Sequence, residues 1–159
     1  PRRIYVSGQS NGGAMTQRLA CELSDRFAAF ASSAGLLVRS IAEKAQRPVP
    51  ILHIHGDADP VVPWDGMEGR FSVMEQMAFW AQKNGCNQRP FRDLYRHKDL
   101  SGPVFERYEY YSYPLDIDEF PKVFLIRAHN GNHDWFGSHT GYDIDANVEM
   151  WRFFQKFSL

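Results

Sequence analysis

Apolar and polar positions along the chain follow two rhythms, short β-rich runs and longer stretches with helical spacing. Arg3-Ile4-Tyr5-Val6-Ser7 is rich in β-formers and ends at Gly8, which predicts a short strand that looks buried. From Asn11 to Leu23, Met15, Leu19 and Leu23 recur every four positions beside Ala14 and Ala20, predicting a helix that buries this stripe. Ala28 to Ser33 reads as a second strand whose small residues suit a crowded sheet centre. Val38 to Arg47 is ambiguous between a loop and a short surface helix. Ile51-Leu52-His53-Ile54 predicts a third strand, stopping at Gly56. Ser72-Val73-Met74-Glu75 is a capping box, in which hydroxyl and carboxylate each satisfy the other's backbone donor. Behind it, Val73, Met77, Trp80 and Ala81 share one helical face, and Asn84-Gly85 ends the helix.

Gln88 to Pro103 is polar and irregular, Phe105 to Tyr111 is an extended aromatic run, and Tyr113 to Pro121 reads as an acidic loop. Lys122 to Arg127 is almost continuously apolar, as a strand covered on both faces requires. A last helix carries Ala146, Met150, Phe153, Phe154 and Phe157 on one face, with Asp143 or Asp145 placed to cap it. Trp80 and Trp151 both fall on helical faces expected to pack in the core. Strands alternating with helices predict an α/β fold with a mainly parallel sheet flanked by helices, in one domain.

Composition narrows the class. With 43% hydrophobic residues among 159, the chain can bury a substantial core. A formal net charge of −1, with no long run of one sign, gives no electrostatic footprint for nucleic acid or an anionic membrane. Two cysteines cannot build a disulfide scaffold, and no C-x-x-C pair is present. No apolar run approaches the ~18 residues needed to span a bilayer. The chain opens on Pro1 and enters its first strand within three residues, so an upstream part of the domain is expected to be missing.

Chemistry concentrates at three turns. Gly8-Gln9-Ser10-Asn11-Gly12-Gly13 joins the first strand to the first helix. The G-x-S-x-G pattern is common by chance, but strand, sharp turn and helix together make a nucleophile elbow. There the serine takes a strained backbone conformation, flanking glycines relieve crowding, and the hydroxyl projects above the carboxyl edge of the sheet. The Asn11 amide, at the helix N-terminus, can donate to a developing oxyanion. The plainer reading is a glycine-rich turn with a capping serine. A phosphate-binding loop is disfavoured because the lysine of the Walker pattern is missing.

A serine nucleophile needs a base and an acid, which follow in the chain order serine, acid, histidine. The loop after the third strand, His55-Gly56-Asp57-Ala58-Asp59-Pro60, offers two carboxylates. Asp59 lies deeper in it, and Asp57 is expected to cap the turn itself. An Asx-rich turn without chemistry is the bland alternative. The base should lie beyond the last strand, where His129, His133 and His139 all stand. Trp64 follows the acid loop and Trp135 the base region, and either ring could line a substrate cleft.

At this point Arg3 to Met15, Leu52 to Gly56 with Asp59 and Val62-Pro63, Phe79-Trp80 through Cys86, His133 to Gly137 and Asp145 to Phe154 together resemble a known family. It is that of the polyhydroxybutyrate depolymerase-like esterases, related to the feruloyl and acetyl xylan esterases of carbohydrate esterase family one. The resemblance covers most of the chain except Gln88 to Pro121. It implies a secreted or periplasmic α/β-hydrolase that cleaves a polyester, a plant cell-wall ester or a small ester through an acyl-enzyme, with no cofactor. Motif for motif, it implies Ser10 as nucleophile, Asp59 as acid and His133 as base. His129, four residues away from the family's histidine, ranks second.

Three departures stand out. Phe136 occupies a position where the family usually has proline. Relatives often pair the cysteine matching Cys86 with a later one, and this chain has none. The family also carries strands before the position of Arg3, one of whose loops supplies the second oxyanion donor. Residues 1–159 are therefore expected to form the C-terminal part of a single α/β-hydrolase domain. Without one of two oxyanion donors, a loss of about 3–4 kcal/mol in transition-state stabilisation is expected, so the chain alone should be weakly active or poorly folded.

Other classes remain open on the sequence alone. His53-Ile54-His55 with Asp57 and Asp59 could hold zinc, but the fuller H-x-H-x-D-H pattern needs a histidine where Ala58 stands, and His53 reads as an inward strand residue. A prolyl oligopeptidase-type peptidase uses a similar elbow and H-G-x-x-D loop. A degenerate, non-catalytic hydrolase-like binding domain is the remaining alternative.

Overall fold

The computed structural model describes residues 1–95, 103–114, 120–137 and 142–159. His139 and parts of the two segments read as irregular, 88–103 and 113–121, lie outside the described residues. The strands are β1 (Tyr5–Gln9), β2 (Ala29–Ser33), β3 (Ile51–Gly56), β4 (Phe91–Leu94), β5 (Val104–Tyr110) and β6 (Val123–His129). The helices are α1 (Asn11–Glu22), α2 (Arg39–Ala42), α3 (Val73–Lys83) and α4 (Ala146–Phe154).

Sheet order is β1-β2-β3-β6-β5-β4, with β1, β2, β3 and β6 parallel to one another and β5 and β4 added antiparallel. Expected parallel pairing thus accounts for the half that carries the three turns, and the sheet as a whole is mixed. In the parallel half, β2 and β3 are buried at every residue, as covering on both faces demands. The carboxyl ends of β1, β3 and β6 point the same way and bring Ser10, the Asp57–Asp59 loop and the His129–His133 loop to one edge.

Each face of the sheet has its own core. On one, Phe30, Ile51, Val123 and Leu125 meet Ala20 and Cys21 of α1 and Val73, Met77, Trp80 and Ala81 of α3. On the other, Leu52, Ile54, Phe124 and Ile126 meet Ala146, Met150, Phe153 and Phe154 of α4. The α3 capping box forms as its sequence predicts, Ser72 Oγ accepting from Glu75 N and Glu75 Oε2 accepting from Ser72 N. Asp145, rather than Asp143, caps α4 by accepting from Asn147 N and Val148 N. Among the described residues no helix is long and apolar enough to cross a membrane.

Four expectations need correction. In α1 the stripe of Met15, Leu19 and Leu23 does not enter the core: Met15 is 50% and Leu23 43% exposed, and Leu19 is only partly buried. The buried face is Gly13, Thr16, Gln17, Ala20 and Cys21. Close approach decides this, because a Cβ on Gly13 would collide with the Ser33 carbonyl, so only small or flat side chains fit against the sheet. Gln17 enters that face because Trp80 Nε1 donates to its Oε1 at 2.8 Å, tying α1 to α3.

Trp151 is likewise outside the core, at 56% exposure, its ring edge-on to Tyr5 at the margin of α4. β4 lies inside the stretch expected to be irregular, and all four of its residues are exposed, so no buried alternation marked it. β1, expected to be buried, is only half-buried along an edge of the sheet.

Candidate active site

Ser10 sits between β1 and α1 with φ +56° and ψ −118°, a region that non-glycine residues rarely occupy. Its N–H donates to Ser33 O at 2.9 Å, fixing the turn against β2. A Cβ on Gly8 would run into the Gly12 backbone, so the turn closes only around glycine. Ser10 Oγ makes no capping bond to α1, which removes the plainer role for this serine. Among the described residues, the other two non-glycine positions with positive φ, Ala34 and Asn130, directly follow β2 and β6. Backbone strain is therefore gathered along the same carboxyl edge, where function is commonly built.

The structure separates the two aspartates. Asp59 is buried, and its Oδ1 accepts from the N–H groups of Val61 and Val62, both at 2.8 Å. Its Oδ2 lies 2.7 Å from His133 Nδ1, a hydrogen bond spanning 74 residues of chain. Asp57 does not cap its own turn as expected. It pairs with Arg127 at 2.8 Å and accepts from Asn130 N at 2.6 Å, tying β3 to the turn after β6.

The histidines separate in the same way. His133 faces Asp59, whereas His129 lies 3.1 Å from Glu106 Oε2 and 3.3 Å from Asp57 Oδ2. With Nδ1 of His133 held by the carboxylate, Nε2 is the ring nitrogen left for proton transfer. Among the described residues no hydrogen bond joins Ser10 Oγ to His133. Such contacts are often long without substrate and tighten in the Michaelis complex.

His133 and its loop are carried by Phe136, which is fully buried and packs edge-on against Phe105 at 5.5 Å between ring centroids. The phenylalanine in place of the family's proline is thus a core anchor. Trp135 packs partly against the same core, and Trp64 lies between His55, at 6.0 Å between ring centroids, and the Arg127 guanidinium, 4.9 Å above its ring.

His53 and His55, an H-x-H pattern in the sequence, form a buried hydrogen-bonded pair that the pattern did not predict. Both are fully buried, and His53 Nε2 lies 3.0 Å from His55 Nδ1. Alternation along β3 places both on one face, which was the only available signal. They bond to each other, and among the described residues no group of three or more His, Cys, Asp or Glu could hold a metal. Burial pushes the pKa of both imidazoles below the ordinary value of 6.5. Cys21 and Cys86 are buried and form no disulfide with each other, and burial raises the Cys21 thiol to about 12.

A sheet with helices on both faces and a strained serine turn beside a carboxylate–imidazole pair belongs to the α/β-hydrolase fold. In agreement, the fold matches a solved thermostable esterase over 99% of this chain and 32% of that one, with a TM-score of 0.56 and 19% identity. In sequence the chain is esterase-like. It is 36% identical over 157 residues to Feruloyl esterase B of Piromyces equi, covering 91% of this chain and 27% of the relative. To Probable feruloyl esterase C of Aspergillus terreus it is 34% identical over 150 residues, covering 94% and 48%. It is 44% identical over 68 residues to the bifunctional acetylxylan esterase/xylanase XynS20E of Neocallimastix patriciarum, covering 43% and 10%. The chain spans less than half the length of these curated relatives. No family model matches it.

Proposed function

We propose that this chain carries the reacting side chains of a serine carboxylic-ester hydrolase, with Ser10 as nucleophile, His133 as base and Asp59 as orienting acid. The observation that carries the reading is the 2.7 Å bond from His133 Nδ1 to the buried Asp59 carboxylate, at the same sheet edge as the strained Ser10. That bond holds one imidazole tautomer and leaves Nε2 to act.

Ser10 Oγ attacks the ester carbonyl carbon while its proton passes to His133 Nε2. The carbonyl π electrons move to oxygen, and the N–H of Asn11, at the start of α1, donates to the resulting oxyanion. Collapse of the tetrahedral intermediate breaks the bond to the leaving alcohol, which takes the proton from His133. Water then attacks the acyl-enzyme with His133 again accepting the proton, and the acid leaves as Ser10 is restored.

The names of the relatives support feruloyl or acetyl esters of plant cell-wall polysaccharide as the substrate class, with polyester and small esters chemically equivalent at the reacting bond. Trp135 and Trp64, which follow the base and acid loops in the chain, are the rings proposed to meet such a substrate, and either suits an aromatic acyl group or a sugar. A polymeric ester cannot enter a cell, so the reading also places the enzyme outside the cytoplasm.

The test is hydrolysis of p-nitrophenyl acetate by the full-length protein and by its Ser10→Ala variant, with phosphonate labelling located by mass spectrometry. A loss of at least about 10³-fold in kcat with the label on Ser10 is expected. Parent-like turnover by Ser10→Ala would overturn the proposal.

A further inference from the structure

Behind Asp59 lies a line of buried polar groups that the acyl-transfer mechanism does not use. His55 Nε2 is 2.9 Å from Val62 O and 3.5 Å from Asp59 Oδ2, and the His55 and Asp59 side chains are both fully buried. A carbonyl and a carboxylate can only accept, so the proton of neutral His55 resides on Nε2. Its Nδ1 then offers a lone pair, and His53 Nε2–H donates to it across 3.0 Å. This leaves His53 Nδ1 as the unprotonated nitrogen in its buried position. The line runs from His53 to His55, whose Nε2–H is donated to Val62 O with Asp59 Oδ2 at 3.5 Å beside it.

The same contacts hold the loop in shape. His55 Nε2–H fixes the Val62 carbonyl, while the amides of Val61 and Val62 close on Asp59 Oδ1. The carboxylate is thus clamped from the loop on one oxygen, and the His55 ring packs 3.5 Å from the other, which also receives His133. Trp64 closes the side of His55 with an edge-on ring, at an interplanar angle of 84°.

We infer that His55, oriented by His53, is a positioning residue that fixes the Asp59 carboxylate and through it the aim of the His133 ring. The inference rests on the hydrolase reading above. His55 touches no reacting atom. Its effect falls on kcat, because a misplaced base weakens the transition state while leaving ground-state binding intact.

The test compares His55→Phe, His55→Gln and His55→Asn in the full-length protein, with Ser10→Ala as control. The readouts are kcat and KM on p-nitrophenyl acetate and the downfield proton resonance of the His133–Asp59 hydrogen bond. Phe keeps a ring without a donor, Gln places an amide N–H near the Nε2 position, and Asn places its amide near Nδ1 instead. The expected result is a kcat lowered about 10²-fold in His55→Phe, with unchanged KM and a shifted or lost resonance. In His55→Gln most of the activity should return.

Should His55→Phe fail to fold, the amide pair decides, with Asn expected about tenfold slower than Gln. Parent-like kcat in a folded His55→Phe, or equal kcat in the Gln and Asn variants, overturns the inference alone, provided Ser10→Ala is inactive. Activity in Ser10→Ala would overturn the hydrolase reading and this inference with it.

Discussion

The sheet has two halves built on different physics. From β1 to β6 the strands are parallel, the central two are closed in by side chains at every residue, and backbones touch where glycine permits it. A Cβ on Gly56 would strike the Gly131 backbone, so the turns after β3 and β6 are pressed together. From β5 to β4 the pairing is antiparallel and the outer strand is exposed at all four residues. There β5 still buries Phe105, Tyr108 and Tyr110, but β4 is held to it by cross-strand ion pairs between Arg92 and Glu106 and between Arg107 and Asp93, both at 2.7 Å. The proposed chemistry sits on the first half, whose packed strand ends can hold strained turns in place.

The largest effect that would sharpen this contrast is expected at Phe136. Truncation to alanine removes a fully buried ring from beneath the His133 loop and should cost about 3–5 kcal/mol, read by chemical denaturation. Esterase activity should fall with it, since His133 lies three residues away.

A smaller effect is expected from pH. His53 and His55 have pKa values lowered by burial, so below the ordinary value of 6.5 the unfolded chain binds protons that the folded chain refuses. Stability should therefore fall as pH drops from about 7 toward 5. Unfolding midpoints across that range check the sign, and a His53→Leu variant should show a shallower slope.

The smallest effect is expected on the antiparallel side. Arg92→Ala breaks a pair whose arginine side chain is 56% exposed, and should cost no more than about 1 kcal/mol while leaving turnover unchanged. A loss there comparable to that of Phe136→Ala would dissolve the distinction between the halves.

Legibility in the sequence followed the same division. The β6 run and the α3 capping box were readable because continuous burial and local capping leave marks within a few residues. Met15, Leu19 and Leu23 misled because helical spacing reports that a stripe exists and not which neighbour will cover it. On α1 the sheet comes so close that small residues take the inner face. Trp151 misled likewise, one position beyond the buried edge of α4. β4 left no trace, since a wholly exposed strand has no apolar alternation to read.

The sequence by itself determined the α/β alternation, the glycine turn around Ser10 and the short set of acids and histidines from which a site could be drawn. Each of these depends on neighbours close along the chain. Only the tertiary structure put His133 against Asp59 and His129 against Asp57 and Glu106, and only it joined His53 and His55 to Asp59. The reason is distance along the polymer. A hydrogen bond spanning 74 residues is set by strand order and register, which no local pattern records.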